Sequence, residues 1–282
     1  MTSPLVTLNN GNKVPQLGLG VYQTPASDAG RVVFDALELG YRHIDSAAIY
    51  GNEREVSESI GKWLKSSGVP RSEVFYTTKI WNADHGYEKA KQAIKVCLEK
   101  AKSIDYIDMI LIHSPMSDRE GRLGTWKALQ ESVESGKVKN IGISNYGIPH
   151  IKELLNYSEL TIKPVMNQFE LHPWLVREEL IKFCQDNDIY VEAYSPLARA
   201  KAFGNPTIVS IADKYKVTEA QILIKWSLAK NFITLPKTVS KERLASNLDV
   251  FSFELTEDEL TKIDSLNSNL LTGWNPTEYP ID

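Results

Sequence analysis

The feature that most constrains the fold of this chain is an alternation, repeated eight times, of a short apolar run with a longer segment of helical periodicity. Runs such as MILI at 109–112 are apolar throughout, which is typical of parallel strands that are covered on both faces. Parallel neighbours need a crossover, and the helical segments supply it. Eight such units within 282 residues predict an α/β fold, a closed (β/α)₈ TIM barrel that forms a single domain over residues 1–282.

The predicted elements can be bounded from the same patterns. The eight strands cover residues 16–19, 42–45, 74–80, 107–113, 139–144, 165–170, 190–194 and 233–235. The eight helices cover residues 28–39, 52–66, 87–104, 123–135, 149–155, 176–186, 218–229 and 241–248. Two extra helical segments, at 207–215 and 256–266, interrupt the alternation. Residues 2–15 contain the turn signal Asn10-Gly11 and predict an N-terminal β-hairpin that closes the bottom of the barrel.

An open, doubly wound sheet is the alternative arrangement of parallel strands and helices. It usually contains fewer strands and has a glycine-rich turn that binds phosphate. The segment GLGVYQ at 18–23 has two glycines at the required spacing, but it lacks the third, and Thr24-Pro25 follows where a helix should begin. Because the segment fails as a dinucleotide fingerprint, the closed barrel is preferred.

Composition and charge exclude several classes of partner. Charged residues make up 24% of the chain and the formal net charge is -4, so nothing attracts nucleic acid or an anionic membrane. Cys97 and Cys184 lie far apart and no Cys/His cluster has zinc-ligand spacing, so we expect neither a disulfide framework nor a metal. Without a signal sequence or a long apolar stretch, we expect a cytoplasmic protein. We expect a monomer, and a weak homo-oligomer stays open.

Ionisable side chains gather at the predicted carboxyl ends of the strands, where barrels of this kind carry their catalytic groups. Asp45 ends the second strand, Lys79 lies at the end of the third, and His113 ends the fourth. The short loop 46–49 can fold Tyr50 back over the same barrel mouth. We therefore expect these four side chains to meet on one rim.

The chemistry of these four residues suggests a proton-donor site. A free tyrosine has a pKa near ~10 and is a poor acid at neutral pH, but an adjacent ammonium, here Lys79, lowers that pKa. Asp45 would keep the lysine charged, and His113 would hydrogen-bond the group that accepts the proton from Tyr50. Taken singly, each residue is more often structural, as a turn cap, a packed ring, a solvated strand end or a core histidine. Their convergence favours the catalytic interpretation.

The segment LPKTVSKERLASN at 235–247 has the outline of an anion site. Lys237, Lys241 and Arg243 surround the predicted start of the eighth helix, and the backbone N–H groups of a helix N-terminus favour phosphate. The loops after the seventh and eighth strands also form the usual phosphate-binding corner of a (β/α)₈ barrel. A solvated helix face is the alternative interpretation, but the position in the barrel favours phosphate.

Taken together, these segments resemble the aldo-keto reductase family over essentially the full chain, from VPQLGLGVY to the C-terminal GWNP. The segments YRHIDSAAIYGNE, FYTTKIW and MILIHSP resemble those that carry the family's catalytic Asp and Tyr, Lys, and His. IGISNY, NQFELHP, AYSPL and LPKTVSKERLASN resemble its cofactor-binding segments. The chain is most similar to the compact microbial and fungal reductases related to diketogluconate reductase and prostaglandin F synthase.

This resemblance implies an NADPH-dependent oxidoreductase that reduces aldehydes or ketones to alcohols, by hydride transfer from nicotinamide C4 and with Tyr50 as proton donor. The implied catalytic tetrad consists of Asp45, Tyr50, Lys79 and His113. The implied NADPH-binding residues are Gly20, Val21, Tyr22, Asp45, Ser144, Asn145, Gln168, Tyr194, Ser195, Pro196, Leu197, Lys237, Thr238, Val239, Arg243 and Asn247. The implied substrate-binding residues are Tyr22, Trp81, His113 and Trp274.

Within that cofactor set, Ser144, Asn145 and Gln168 would hold the carboxamide of a nicotinamide ring that is stacked on Tyr194. The residues implied for the adenosine end and its 2′-phosphate are Lys237, Thr238, Arg243 and Asn247. The chain departs from the family pattern at three serines, and the one at 246 affects the expected adenine contacts. The departures are Ser46, Ser114 and Ser246.

Two other functions stay open alongside carbonyl reduction. A barrel of this family can serve as a regulatory subunit that reports redox state to a membrane channel. A sugar-phosphate isomerase or lyase would use the phosphate corner without a nicotinamide. The carbonyl substrate, its stereochemistry and the physiological direction are likewise left open by the sequence.

Overall fold

The computed structural model describes residues 3–281 and contains a β-hairpin followed by a barrel of eight parallel strands. The hairpin strands, β1 (Leu5–Thr7) and β2 (Lys13–Pro15), pair antiparallel. The barrel strands, in chain order around the barrel, are β3 (Leu19–Gly20), β4 (His43–Asp45), β5 (Phe75–Ile80), β6 (Ile107–Ile112), β7 (Val138–Ser144), β8 (Met166–Glu170), β9 (Tyr190–Tyr194) and β10 (Ile233–Leu235). Residue 2 of the predicted hairpin and residues 1, 2 and 282 of the predicted domain lie outside the described residues.

Within residues 3–281, ten α-helices accompany the strands. They are α1 (Ala26–Leu39), α2 (Glu53–Ser67), α3 (Tyr87–Lys100), α4 (Arg119–Glu134), α5 (Ile148–Leu155), α6 (Glu178–Asp186), α7 (Pro206–Tyr215), α8 (Glu219–Ala229), α9 (Lys241–Leu248) and α10 (Glu257–Asp264). The predicted (β/α)₈ barrel is confirmed, and α7 and α10 are the two extra helices. None of these helices is long and apolar enough to cross a membrane.

Most element bounds agree with the sequence prediction to within two residues, and α4 is an instructive difference. It begins at Arg119 instead of residue 123. The carboxylate of Asp118 accepts a hydrogen bond from the N–H of Gly121 at 2.7 Å, so Asp118 caps the helix one turn earlier than the apolar periodicity begins.

Hydrogen bonds between the segment that precedes β3 and strand β10 close the barrel. The N–H of Thr234 donates to the oxygen of Gln16 at 2.8 Å, and the N–H of Gly18 donates to the oxygen of Thr234 at 2.9 Å. A Cβ on Gly18 would lie 2.7 Å from the Leu235 side chain and 2.8 Å from the His43 ring. Because real Cβ atoms do not approach neighbours so closely, only glycine fits at this seam.

The apolar strand runs are buried on both faces, as their composition predicts. In β6, Ile110 and Ile112 pack in the layer between strands and helices, whereas Met109 and Leu111 pack in an inner cluster. This inner cluster includes the first residues of β5, β8 and β10, and therefore lies at the amino end of the barrel. The hairpin residues that join it are Val6, Leu8 and Val14. The hairpin thus closes the bottom of the barrel, and the opposite end carries the cavity.

Candidate active site

A cavity of about 1230 Å³ lies at the carboxyl ends of the barrel strands. A pocket for one small molecule usually measures roughly 300–1,000 Å³, so this cavity can hold a ligand that is longer than a single metabolite. The last residues of β3, β4, β9 and β10 meet there, together with Gln168 of β8 and residues that follow β5, β6 and β7. This end of the barrel is where the sequence predicts the catalytic groups.

Asp45, Lys79 and Tyr50 meet at this cavity. The ammonium of Lys79 donates to Oδ1 and Oδ2 of Asp45 at 2.6 and 2.8 Å, and to the backbone oxygen of Ser46 at 2.8 Å. It also lies 3.4 Å from the phenol oxygen of Tyr50. Asp45 belongs to β4, Lys79 to β5, and Tyr50 to the 3₁₀ turn that follows β4 (Ala48–Tyr50). The structure therefore brings these three side chains together, as the sequence predicts.

The loop that carries Tyr50 is held by the buried side chain of Asn52. Its amide nitrogen donates to the backbone oxygens of Val21 and Thr24 at 3.1 and 2.9 Å. Its oxygen accepts a hydrogen bond from the Ser46 hydroxyl at 2.8 Å. These bonds fix both ends of the turn, so Tyr50 is positioned over the strand ends by an ordered loop.

The electrostatic environment of Tyr50 differs from the sequence prediction. Burial, then the negative charge of Asp45 and the nearby phenol of Tyr22, raise the pKa of Tyr50 well above its usual value. The predicted lowering of this pKa is wrong, because burial and the charge of Asp45 outweigh any stabilisation of the phenolate by the Lys79 ammonium. Tyr50 is therefore a protonated phenol at neutral pH.

His113 and two tryptophans form an aromatic wall of the cavity. The ring centroid of His113 lies 5.0 Å from that of Trp81 and 6.2 Å from that of Trp274, with the rings edge-on. The two tryptophan rings lie 5.9 Å apart. Burial and the charge of Lys79 lower the pKa of His113 well below its usual value. The imidazole is therefore neutral at neutral pH and keeps one N–H donor.

Two side-chain amides reach the cavity from β8 and from the end of β7. Nε2 of Gln168 donates to Oδ2 of Asp45 at 2.9 Å and to Oε2 of Glu192 at 2.7 Å. Oδ1 of Asn145 accepts a hydrogen bond from the Tyr194 hydroxyl at 2.9 Å. The amide nitrogen of Gln168 is therefore fully used by carboxyl oxygens, whereas its Oε1 accepts no hydrogen bond from the described residues.

Cationic side chains without carboxylate partners line the part of the cavity beside β9 and β10. They are Arg199, Lys237 and Arg243, and within residues 3–281 none of them forms an ion pair. Lys241, which the sequence assigns to the same cluster, instead pairs with Asp35 of α1 at 2.9 Å and does not line the cavity. That part of the predicted anion site is wrong.

Most of the predicted site residues do line the cavity. These are Gly20, Tyr22, Asp45, Tyr50, Trp81, His113, Asn145, Gln168, Tyr194, Ser195, Pro196, Leu197, Lys237, Thr238, Arg243, Asn247 and Trp274. Lys79 is fully buried and reaches the site through its contacts with Asp45 and Tyr50.

Three predicted cofactor residues do not line the cavity. Val21 is fully buried, and the Ser144 hydroxyl donates to the backbone oxygen of Gln168 at 2.8 Å. Val239 is an exposed residue outside the cavity lining. Their roles in cofactor binding stay predictions, and the shape of the cavity does not favour them.

Several cavity residues were absent from the predicted set. They are Gln23, Ile49, Arg199, Ala200, Phe203, Thr218, Glu219, Ala220, Leu235, Ser246 and Gly273. Many of them belong to loops or to the start of α8, and no local pattern in the sequence fixes the path of a loop over a cavity. Glu192, which contacts Gln168, was also missed because it lies inside the strand sequence YVEAY.

The residues of the cavity fit a long ligand with anionic groups. Unpaired cations suit phosphates, and the free Oε1 of Gln168 suits an amide N–H. A nicotinamide dinucleotide phosphate carries both groups. Across residues 3–281 no group of three or more His, Cys, Asp or Glu side chains is arranged to bind a metal ion. The cysteines Cys97 and Cys184 are buried free thiols in α3 and α6.

Known proteins of similar sequence and structure identify the family. The sequence model described as the Aldo/keto reductase family matches residues 15–268. An uncharacterized oxidoreductase of Saccharomyces cerevisiae is 42% identical over 282 residues, covering 99% of this chain and 100% of the yeast protein. Glyoxal reductase of Bacillus subtilis is 40% identical over 274 residues, covering 97% of this chain and 96% of that protein.

A solved structure extends the similarity to three dimensions. The crystal structure of a Bombyx mori aldo-keto reductase in complex with NADP has a TM-score of 0.89 and 33% sequence identity. The superposition covers 96% of this chain and 95% of the Bombyx mori chain. By sequence and by fold, this chain belongs to the aldo/keto reductase family of oxidoreductases.

Proposed function

We propose that this chain is an NADPH-dependent carbonyl reductase that converts aldehydes or ketones to alcohols, with Tyr50 as the proton donor. The observation that carries the proposal is the approach of the Tyr50 phenol to within 3.4 Å of the Lys79 ammonium, in the cavity that three unpaired cations also line. The similarity to a glyoxal reductase and to an aldo-keto reductase in complex with NADP supports the same reaction class and cofactor.

The cofactor would be held by residues from β7 to α9. Bound NADPH would supply a hydride to the carbonyl carbon of the substrate. Lys237 and Arg243, which have no carboxylate partner within residues 3–281, would bind its phosphate groups. Burial lowers the pKa of Lys237, and a nearby anion would raise it again. The amides of Asn145 and Gln168 would bind the carboxamide, beside the ring of Tyr194.

Tyr50 is arranged to donate a proton into the cavity. Its oxygen accepts a hydrogen bond from Lys79, and no described residue accepts the phenol proton, which stays available for a substrate oxygen. The raised pKa keeps the phenol protonated at neutral pH. An alkoxide is a stronger base than a phenolate, so a carbonyl oxygen that gains negative charge during reduction takes this proton readily.

Lys79 and Asp45 would act on Tyr50 after the proton has left. The ammonium lies close enough to stabilise the phenolate, and three oxygen acceptors prevent it from moving away. Asp45 supplies two of these acceptors. Lys79, held in this way, therefore eases proton release in the transition state without ionising the resting phenol.

His113 would orient the substrate. Its neutral imidazole can donate one hydrogen bond to the carbonyl oxygen, and its ring lies 5.8 Å from the ring of Tyr50. Both residues can therefore reach the same oxygen atom. Trp81, Trp274 and Tyr22 would provide an apolar surface for the remainder of the substrate.

Turnover of purified protein with NADPH and a panel of aldehydes, α-keto esters and diketones tests this proposal. We expect oxidation of NADPH and formation of the alcohol in equal amounts for several members of the panel. Binding of NADPH without turnover of any carbonyl would favour a regulatory subunit. Failure to bind NADPH, measured by its fluorescence, would contradict the proposal altogether.

A further inference from the structure

Glu192 is a buried carboxyl group inside the barrel that the proposed mechanism does not use. It lies on β9 and is 0% exposed to solvent. Its Oε2 accepts a hydrogen bond from Nε2 of Gln168 at 2.7 Å, whereas its Oε1 has no hydrogen-bond partner among the described residues. The nearest cationic candidate, Nε2 of His43, lies 3.6 Å from Oε1. Burying an acid with an unpartnered oxygen costs free energy of folding, so this placement needs a physical explanation.

The ionisable groups around Glu192 come from strands of the barrel that do not pair with β9. Asp45 and His43 approach from β4, and Lys79 approaches from β5. Burial, then the charge of Asp45, raise the pKa of Glu192 to about 8. Burial lowers the pKa of His43 to about 4. At neutral pH both groups are therefore predominantly uncharged, and Glu192 can remain buried while one of its oxygens accepts from Gln168.

The two hydrogen bonds of Gln168 fix the orientation of its amide. A primary amide has two N–H donors, and here they point to Oδ2 of Asp45 at 2.9 Å and to Oε2 of Glu192 at 2.7 Å. Rotation of the amide by half a turn would bring its carbonyl oxygen against the carboxylate of Asp45, which is repulsive, so Asp45 selects the orientation and Glu192 occupies the second N–H. Gln168 lines the cavity, and no residue from 3 to 281 donates a hydrogen bond to its Oε1.

We infer that Glu192 is a positioning residue: together with Asp45 it holds the amide of Gln168 so that Oε1 is presented to the cofactor as a hydrogen-bond acceptor. The cofactor group that matches this acceptor is the NH₂ of the nicotinamide carboxamide. Glu192 thereby contributes to selecting dinucleotides that carry this donor. The inference rests on the proposed NADPH-dependent function, and it assigns a role to a side chain that has no direct contact with the cavity.

The test compares NADP⁺ with its 3-acetylpyridine analogue, in which a methyl group replaces the carboxamide NH₂. Dissociation constants come from quenching of tryptophan fluorescence, which measures binding without turnover. We expect the wild-type protein to bind NADP⁺ about tenfold more tightly than the analogue, since a buried acceptor without a donor costs about one hydrogen bond. Glu192→Leu removes the acceptor for Gln168, so the ratio of the dissociation constant of the analogue to that of NADP⁺ should fall to near one.

Two further variants separate positioning from a general structural effect. Glu192→Gln keeps an oxygen that can accept from Gln168, so it should retain most of the preference for NADP⁺. Gln168→Leu should abolish the preference, and adding Glu192→Leu to it should have no additional effect on the ratio. Every variant should still prefer NADP⁺ over NAD⁺, because that preference depends on the distant 2′-phosphate. This preference serves as a control that the cavity is intact.

The outcomes distinguish this inference from the proposed function. A folded Glu192→Leu protein that keeps the wild-type preference for NADP⁺ over the analogue would overturn the positioning role. A Glu192→Gln protein that has lost this preference completely would overturn it as well. If Glu192→Leu does not fold, Glu192→Ala takes its place, because alanine also lacks an acceptor for the Gln168 amide, and an unchanged preference in that protein would equally overturn the positioning role. A wild-type protein that fails to bind NADP⁺ would instead contradict the proposed function.

Discussion

The ammonium of Lys79 lies 2.6 and 2.8 Å from the two carboxylate oxygens of Asp45, and both residues are almost completely buried. Lys79→Met would leave the Asp45 charge without its partner, so we expect the free energy of unfolding to fall by about 3–5 kcal/mol. The double variant Lys79→Met with Asp45→Asn should recover part of this loss because no unpaired charge remains. Urea denaturation at neutral pH measures both values. A double variant no more stable than the single one would contradict the pairing.

The raised pKa of Tyr50 and the lowered pKa of His113 predict opposite pH profiles for the two directions of reaction. Reduction requires a protonated phenol and a neutral imidazole, so kcat/KM for a carbonyl should be nearly constant from about pH 7 to about pH 9. Oxidation of an alcohol requires the phenolate, so its rate should increase continuously over that interval. Steady-state assays in both directions measure the profiles. A reductive rate that declines with a midpoint below the usual tyrosine pKa would contradict this account.

Arg243 and Lys241 lie on the same helix, but only Arg243 lines the cavity. Arg243→Ala should weaken binding of NADPH by about tenfold or more while changing binding of NADH by less than about twofold, since the guanidinium is assigned to the 2′-phosphate. Lys241→Ala is the matched control: it removes the same charge two residues away, where the ammonium pairs with Asp35. It should change neither affinity appreciably. Equal losses of affinity for NADPH and NADH in Arg243→Ala would contradict the assignment of this guanidinium to the 2′-phosphate.

Glu259 joins the two extra helices. Its carboxylate accepts hydrogen bonds from Lys214 at 2.6 Å, Tyr215 at 2.8 Å and the N–H of Thr256 at 2.8 Å. Although burial opposes the change, these bonds lower the pKa of Glu259 to about 2. Because its pKa in the unfolded chain is about 4.3, the stabilisation is complete above that value and is lost as pH falls through the folded pKa.

Glu259→Gln should therefore lower the free energy of unfolding by about 1 kcal/mol at neutral pH, a value that allows for the exposed lysine partner. The difference between wild type and variant should narrow as the pH is lowered from about 4.5 to about 2. Denaturation curves at several pH values measure it. A difference that stays constant throughout that interval would exclude the carboxylate as its source.

Much of the fold was predictable because the strands of a parallel barrel are buried on both faces and therefore occur in the sequence as apolar runs. The predicted bounds of β9, β10 and α9 agree with the structure, since each run or amphipathic segment ends where polar residues begin. The start of α4 was not predictable from periodicity, because it depends on a capping bond from Asp118. The meeting of Asp45 and Lys79 was predictable, since both lie at strand ends that share one rim.

The electrostatics of the site could not be deduced from sequence positions alone. A lysine beside a tyrosine suggests a lowered pKa, but the sign of the shift depends on whether another charge balances the lysine and on how deeply the phenol is buried. Burial and the charge of Asp45 together outweigh the effect of the lysine, and the pKa of Tyr50 increases. Similarly, the sequence position of Lys241 suggests an anion site, and only the structure reveals that its ammonium forms an ion pair with Asp35. Pairing across distant elements is a tertiary property.

The central claim is that Tyr50 supplies the proton, and Tyr50→Phe tests it most directly. This change removes only the hydroxyl group, so the aromatic ring and the cationic end of the cavity remain. We expect kcat for carbonyl reduction to fall by about 10²-fold or more, while the dissociation constant for NADPH changes by less than about twofold. A purified Tyr50→Phe protein that reduces carbonyls at a rate close to that of wild type would contradict the claim.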